Sequence, residues 1–216
     1  MTTAAQPAVP VAPESSERGS SPGRDAWVRL RKNRLAVAGA LVLLVLSLLC
    51  VAGPWFAQSY QDQNLDLGAT GPSAAHWLGT DTLGRDLFAR VLYGLRISLL
   101  IAFSATIITT LLGSLFGIVS GYLGGRWDSA IGRLMDIILA FPFLLIILAL
   151  SGVFTQRLEA MGVPKGNPAR ITYLILVLSI FGWPYLARIV RGQVLSVRER
   201  EFVEASIAMG SGTGRI

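Results

Sequence analysis

The chain has 216 residues, 52% of them hydrophobic and only 15% charged, with a mean hydropathy of +0.56. Soluble domains carry about 25% charged residues, so an ordinary soluble domain, a disordered chain and a disulfide-stapled scaffold are excluded. The formal charge of +6 reads as membrane topology rather than as a nucleic-acid surface.

Residues 1–24 are rich in Pro, Ser and Ala, have no apolar periodicity, and read as a disordered tail. The first apolar run starts near Leu35. It is longer than a signal core and lacks a small-x-small cleavage site, so it reads as a membrane helix. Spans of roughly 20 residues are expected near 35–57, 97–123, 134–154 and 171–190, an all-α polytopic membrane bundle. Arg29, Arg31, Lys32 and Arg34 precede the first span, and Arg188, Arg191, Arg198 and Arg200 follow the core of the fourth. This bias places the N-terminus and the segment after the fourth span in the cytoplasm. Cys50, inside the first span, reads as a small lipid- or helix-facing residue.

Between the first two spans, residues 76–96 read as an outer amphipathic segment. A helix from Thr82 would align Leu83, Leu87, Phe88, Val91, Leu92 and Leu95 on one side. It would pair Asp86 with Arg90 on the other, with Asp81 as N-cap. His76 has no His, Cys or clustered acid near it in sequence, and no metal site is expected.

The second span carries small residues every fourth position: Ala105, Thr109, Gly113, Gly117 and Gly121. Such a row lets two backbones approach closely in lipid. It fits packing within the chain, and equally contact with a second subunit or the wall of a pathway. Asp136 is the one acid expected inside a span. In the first turn of the third helix it suits the helix dipole, a structural role, while an ion relay would need further buried acids. Pro142 and Pro184 are expected to kink the third and fourth spans.

Residues 191–216 follow the last span. Phe202, Val203, Ala205, Ile207 and Ala208 form a short apolar ridge among Glu199, Arg200, Glu201 and Glu204. The mixed charge favours docking into a groove of a cytosolic partner over lying on lipid. No phosphate loop and no metal- or Cys-based catalytic pair is present. Gly210, Gly212 and Gly214 read as flexible chain, so no catalytic, cofactor or metal residue is assigned.

Four stretches together resemble the permease subunits of binding-protein-dependent ABC importers, the dipeptide/oligopeptide/nickel group and its C-type subunit. They are HWLGTDTLGRDLFARVLYGLRISL, GYLGGRWDSAIGRLMDIILAFP, GWPYLARIVRGQVLSVREREFVEAS and EASIAMG at 204–210. The last is similar to the family's E-A-A-x-x-x-G loop, with Ser206 at its third position.

The resemblance implies a type I importer permease fold of six spans, four of them visible, with the chain ending at Ile216 inside the coupling loop. It implies that Glu204, Ala205 and Gly210, with Glu201 and Ala208 beside them, dock in an ATPase groove. Implied partners are a second homologous permease, two cytosolic ABC ATPase domains that hold ATP and Mg, and an extracytoplasmic solute-binding protein. Together with the lipid bilayer these imply a bacterial inner-membrane location. The residues alone leave open a gradient-driven secondary carrier, which would need buried acids or broken helices, and an anchor subunit with no pathway.

Overall fold

The computed structural model describes residues 22–212, which divide into two units at Leu49 and Cys50. The first unit holds α1 (Pro22–Lys32) and the first turns of α2 (Arg34–Phe56). Asn33 separates them. Its N–H donates to the Arg29 and Leu30 carbonyls, and its side-chain oxygen accepts from the Ala36 N–H at 3.1 Å, which caps α2. Leu35, Leu41, Leu44 and Leu48 stand exposed around α2, as expected of a helix meant for lipid on all sides. The tail expected over 1–24 falls outside the described residues as far as 21, and residues 22–24 already belong to α1.

The second unit contains the end of α2, a long loop, and α3 (Leu87–Leu123), α4 (Gly125–Ala140), α5 (Phe143–Ala160), α6 (Asn167–Arg198) and α7 (Glu201–Ala208). Among the described residues four helices, α2, α3, α5 and α6, are long and apolar enough to cross a membrane. Among the described residues there is one isolated bridge, Thr80 with Asp86, and no strand.

The loop before α3 is held by its own hydrogen bonds. Thr80 Oγ1 donates to the Gly68 carbonyl at 2.7 Å and accepts the Thr70 N–H, and the Asn64 N–H meets the Leu83 carbonyl. Gly84, at φ +67°, presses so closely on Asn64 that a Cβ would lie 1.8 Å from its carbonyl oxygen. That backbone is not helical, so the helix expected from Thr82 starts only at Leu87. Its N-cap is Asp86, whose Oδ1 accepts the Ala89 N–H at 2.7 Å. Asp81 instead closes the preceding turn, accepting the Leu83 and Arg85 N–H groups. The expected amphipathic segment and second span merge into one helix of 37 residues, roughly 55 Å long.

A second correction concerns the third span. Pro142 has no N–H and disfavours helical geometry in the residue before it. Phe141 accordingly turns extended at φ −80°, ψ 133°, and the chain breaks into α4 and α5. Pro142 is therefore the N-cap of α5 rather than a kink, and the membrane-length helix is Phe143–Ala160, not 134–154. Pro184 does lie inside a helix, fully buried in the middle of α6.

The centre of the unit is the α3–α6 pair. Ile131 and Met135 of α4 pack with Trp183 and Ala187 of α6, with Phe116 of α3 tilted against Trp183 at 4.6 Å between ring centroids. A second cluster joins α5 to α6 through Leu158, Ala169, Tyr173 and Val177.

Candidate functional site

Residues 199–200 interrupt the helical run, and α7 follows as a separate eight-residue helix. Arg200 is its N-cap residue, and Glu201 and Glu204 fill its first turn, where carboxylates suit the helix dipole. Val203 is buried and is the residue that seats α7 on its own chain. The remaining ridge faces away: Phe202, Ile207 and Met209 are exposed, as are Glu201, Glu204, Ala205 and Ala208. Gly210, at φ +84°, donates its N–H to the Ile207 carbonyl and turns the chain off the helix. The structure thus gathers Glu201, Glu204, Ala205, Ala208 and Gly210 on one short exposed element. Residues 213–216 of the expected loop lie outside the described residues.

Two turns before its end, α6 carries a polar node. Arg191 donates from Nε to Asp128 Oδ1 at 2.6 Å and from Nη2 to Oδ2 at 2.7 Å, a two-pronged pair. Ser120 of α3, itself fully buried, donates its hydroxyl to Oδ1 at 2.5 Å. The Arg191 guanidinium first, then the Ser120 hydroxyl, hold the Asp128 carboxyl below the usual carboxylate range despite partial burial. Sequence reasoning treated Arg191 only as a topology charge and passed over Asp128. The available signal was an acid and a base flanking two apolar helices at the same end.

Asp136 is not in a first turn. It sits in the second half of α4, which is not among the four membrane-length helices, and its Oδ1 accepts from Arg188 Nη2 at 2.6 Å. Both side chains are at least half exposed. An acid already paired with a base at the surface is a poor ion relay.

Gly113, Gly117 and Gly121 face α6. A Cβ on each would lie 2.8 Å from Leu186 Cβ, 2.7 Å from Val190 Cβ and 2.9 Å from Val194 Cβ respectively. Ala105 continues the row, its carbonyl accepting from Ser179 Oγ at 3.4 Å, and Thr109 packs on Gly182. Of the open readings for this row, the structure shows contact within the chain.

Two family models match this chain: the N-terminal TM domain of oligopeptide transport permease C over residues 21–72, and the binding-protein-dependent transport system inner membrane component over residues 113–216. The dipeptide transport system permease protein DppC of Bacillus subtilis is 42% identical over 199 residues, covering 89% of this chain and 57% of that protein. The oligopeptide transport system permease protein OppC of the same species is 38% identical, covering 93% and 62%. OppC of Haemophilus influenzae is 34% identical, covering 91% and 60%.

Residues 113–216 carry the binding-protein-dependent transport system inner membrane component, and along most of its length the chain is similar to permease C subunits. It is a multi-pass membrane protein, and it spans about three-fifths of the length of these permease C relatives. The inner-membrane-component match takes in the glycine row, the Asp128–Arg191 node and α7 together. The N-terminal permease C match covers α1 and α2.

Proposed function

We propose that this chain is a membrane-spanning permease subunit of an ATP-driven bacterial importer for peptides or related small solutes. It forms part of the translocation pathway and has its N-terminus and α7 on the cytoplasmic side. The observation that carries the reading is α7, a separate helix with an exposed apolar ridge and an acidic first turn, seated by Val203 and ended by Gly210. Such an element suits the groove of a cytosolic ATPase, which holds the ATP and Mg. ATP-driven closure of two ATPases would move α7, and with it α6, so that the permease pair exchanges its inward- and outward-facing states. A ligand biased toward one state by about 5.5 kcal/mol moves such an equilibrium from 1:99 to 99:1. A second homologous permease completes the pathway, and an extracytoplasmic binding protein delivers solute on the side of the 57–86 loop.

Affinity purification of the full-length tagged protein in mild detergent tests the assembly. Two P-loop ATPase domains and a second permease are expected to copurify, and recovery of the folded protein alone, with uptake driven by an ion gradient, would overturn the reading. Within the assembled complex, Glu204→Arg is expected to lower ATP-driven uptake about tenfold while membrane insertion is unchanged.

A further inference from the structure

α4 lies between two joints. At one end Gly124 and Gly125 both take positive φ, +63° and +54°, and form a corner after α3. At the other, Phe141 and Pro142 break the helix from α5. Between these joints α4 is fastened to α6 three times. Asp128 takes the Arg191 fork, Ile131 and Met135 pack on Trp183 and Ala187, and Asp136 takes Arg188. The first fastening also engages α3 through Ser120, where α3 and α6 run so close that a Cβ on Gly121 would lie 3.0 Å from the Arg191 carbonyl. Arg198, in the last turn of α6, donates to the Tyr122 carbonyl at 3.2 Å. α7 thus continues from the last turns of α6, which Arg191 fastens to α4 and Arg198 fastens to α3.

We propose that Asp128 and Arg191 are positioning residues that carry displacement of α7 through α6 into α4, which swings as a lever between the Gly124–Gly125 corner and the Phe141–Pro142 break. A two-pronged ion pair fixes direction as well as distance, so α4 follows rotation of α6 rather than sliding along it. The apolar contacts of Ile131 and Met135 alone would permit that sliding. This inference rests on the importer reading above.

The test uses the complete complex, with its ATPases, second permease and binding protein, in liposomes. Yield of assembled complex, ATP hydrolysis with and without loaded binding protein, and solute taken up per ATP are measured for wild type, Asp128→Asn, Arg191→Lys and the exchange Asp128→Arg with Arg191→Asp. Asp128→Asn is expected to assemble at wild-type yield and hydrolyse ATP within about twofold of wild type, while uptake per ATP falls about tenfold. The exchange is expected to recover part of that loss. Unchanged uptake per ATP in an assembled Asp128→Asn complex would overturn the proposal. If Asp128→Asn does not assemble, Arg191→Lys, which keeps the charge and loses the fork, is read by the same criterion. Loss of assembly in both makes the pair a folding strut and likewise overturns it. A wild-type complex without ATP-driven uptake removes the importer reading and this inference with it. A transporting wild type matched by its variants removes the inference alone.

Discussion

A Cβ on Gly117 would lie 2.7 Å from the Val190 Cβ and 2.8 Å from the Ala187 carbonyl oxygen. The α3 backbone is thus in direct contact with α6, and the same relation recurs one helical step away on each side, at Gly113 with Leu186 and Gly121 with Val194. Four-residue ridges of both helices interlock. Lipid offers no hydrophobic drive for two apolar helices to associate, so close packing is what holds them.

Gly117→Ala is therefore expected to force the helices apart or strain Val190, at a cost of about 1–3 kcal/mol. Gly152→Ala is the control, because nothing lies within 4 Å of a Cβ there. It is expected to be neutral, or to stabilise by up to about 1 kcal/mol through helix propensity. Thermal unfolding of the two variants in detergent separates them, and equal losses would refute the contact.

The turn closed by Asp81 is expected to resist acid. Burial by itself would raise this carboxyl. The Arg85 guanidinium, the Arg85 and Leu83 N–H groups and the Arg85 charge outweigh burial and bring it to about 2, against an ordinary value of 3.8. Arg90 also pairs with the same carboxylate. A folded-state value below the unfolded one gives stability that is fully present above pH about 4 and lost as pH falls through about 2. The protection factors of the Leu83, Gly84 and Arg85 amides, taken against their intrinsic exchange rates at each pH, should hold down to about pH 4 and fall below it. Asp81→Asn should exchange faster already at neutral pH, and a wild-type loop that opens between pH 6 and 5 would contradict the assignment.

Periodicity and hydropathy located α2, α3 and α6 because each presents an apolar run long enough to dominate its surroundings. They failed where a single backbone event decides the outcome. From Ile137 to Leu150 the residues run apolar in sequence, yet Pro142 denies Phe141 helical geometry and splits them. Leu83 and Leu87 fit one helical face, yet the positive φ of Gly84 keeps Leu83 in a turn. The glycine row was legible as close approach, but its neighbour was not, because a row of small residues records a distance and not a partner. The Asp128–Arg191 pair was out of reach for a related reason. Its residues lie 63 positions apart, and it is the packing of α4 on α6 that brings them together.

Asp86 joins two functions in one carboxylate. Oδ1 caps α3 through the Ala89 N–H at 2.7 Å, and Oδ2 meets His76 Nδ1 at 2.9 Å. Asp86→Ala removes both bonds and is expected to destabilise the loop–α3 junction by about 1–2 kcal/mol. Asp86→Asn keeps a capping oxygen and is expected to lose less than half of that. Protease sensitivity of the 57–86 loop in the purified protein reports the order. Equal sensitivity of Asp86→Asn and Asp86→Ala would show that the His76 contact, not the cap, holds the junction.

Tyr173 is the polar fastening of the α5–α6 cluster. It is buried, packs near Phe154, and its hydroxyl donates to the Ile147 carbonyl at 2.8 Å, with the Ile146 carbonyl at 3.3 Å. Those carbonyls belong to the first turns of α5, whose own N-cap Pro142 offers no side-chain hydrogen bond. Tyr173→Phe removes only the hydroxyl from helix carbonyls that keep other partners, and is expected to cost about 1 kcal/mol. Tyr173→Ala also empties the ring's site between Leu158 and Val177 and is expected to cost about 3–5 kcal/mol. The difference between the two, measured by thermal unfolding in detergent, weighs ring packing against the hydrogen bond. A Tyr173→Phe loss as large as the Tyr173→Ala loss would mean that the hydroxyl, rather than the ring, positions the start of α5 after the Phe141–Pro142 break.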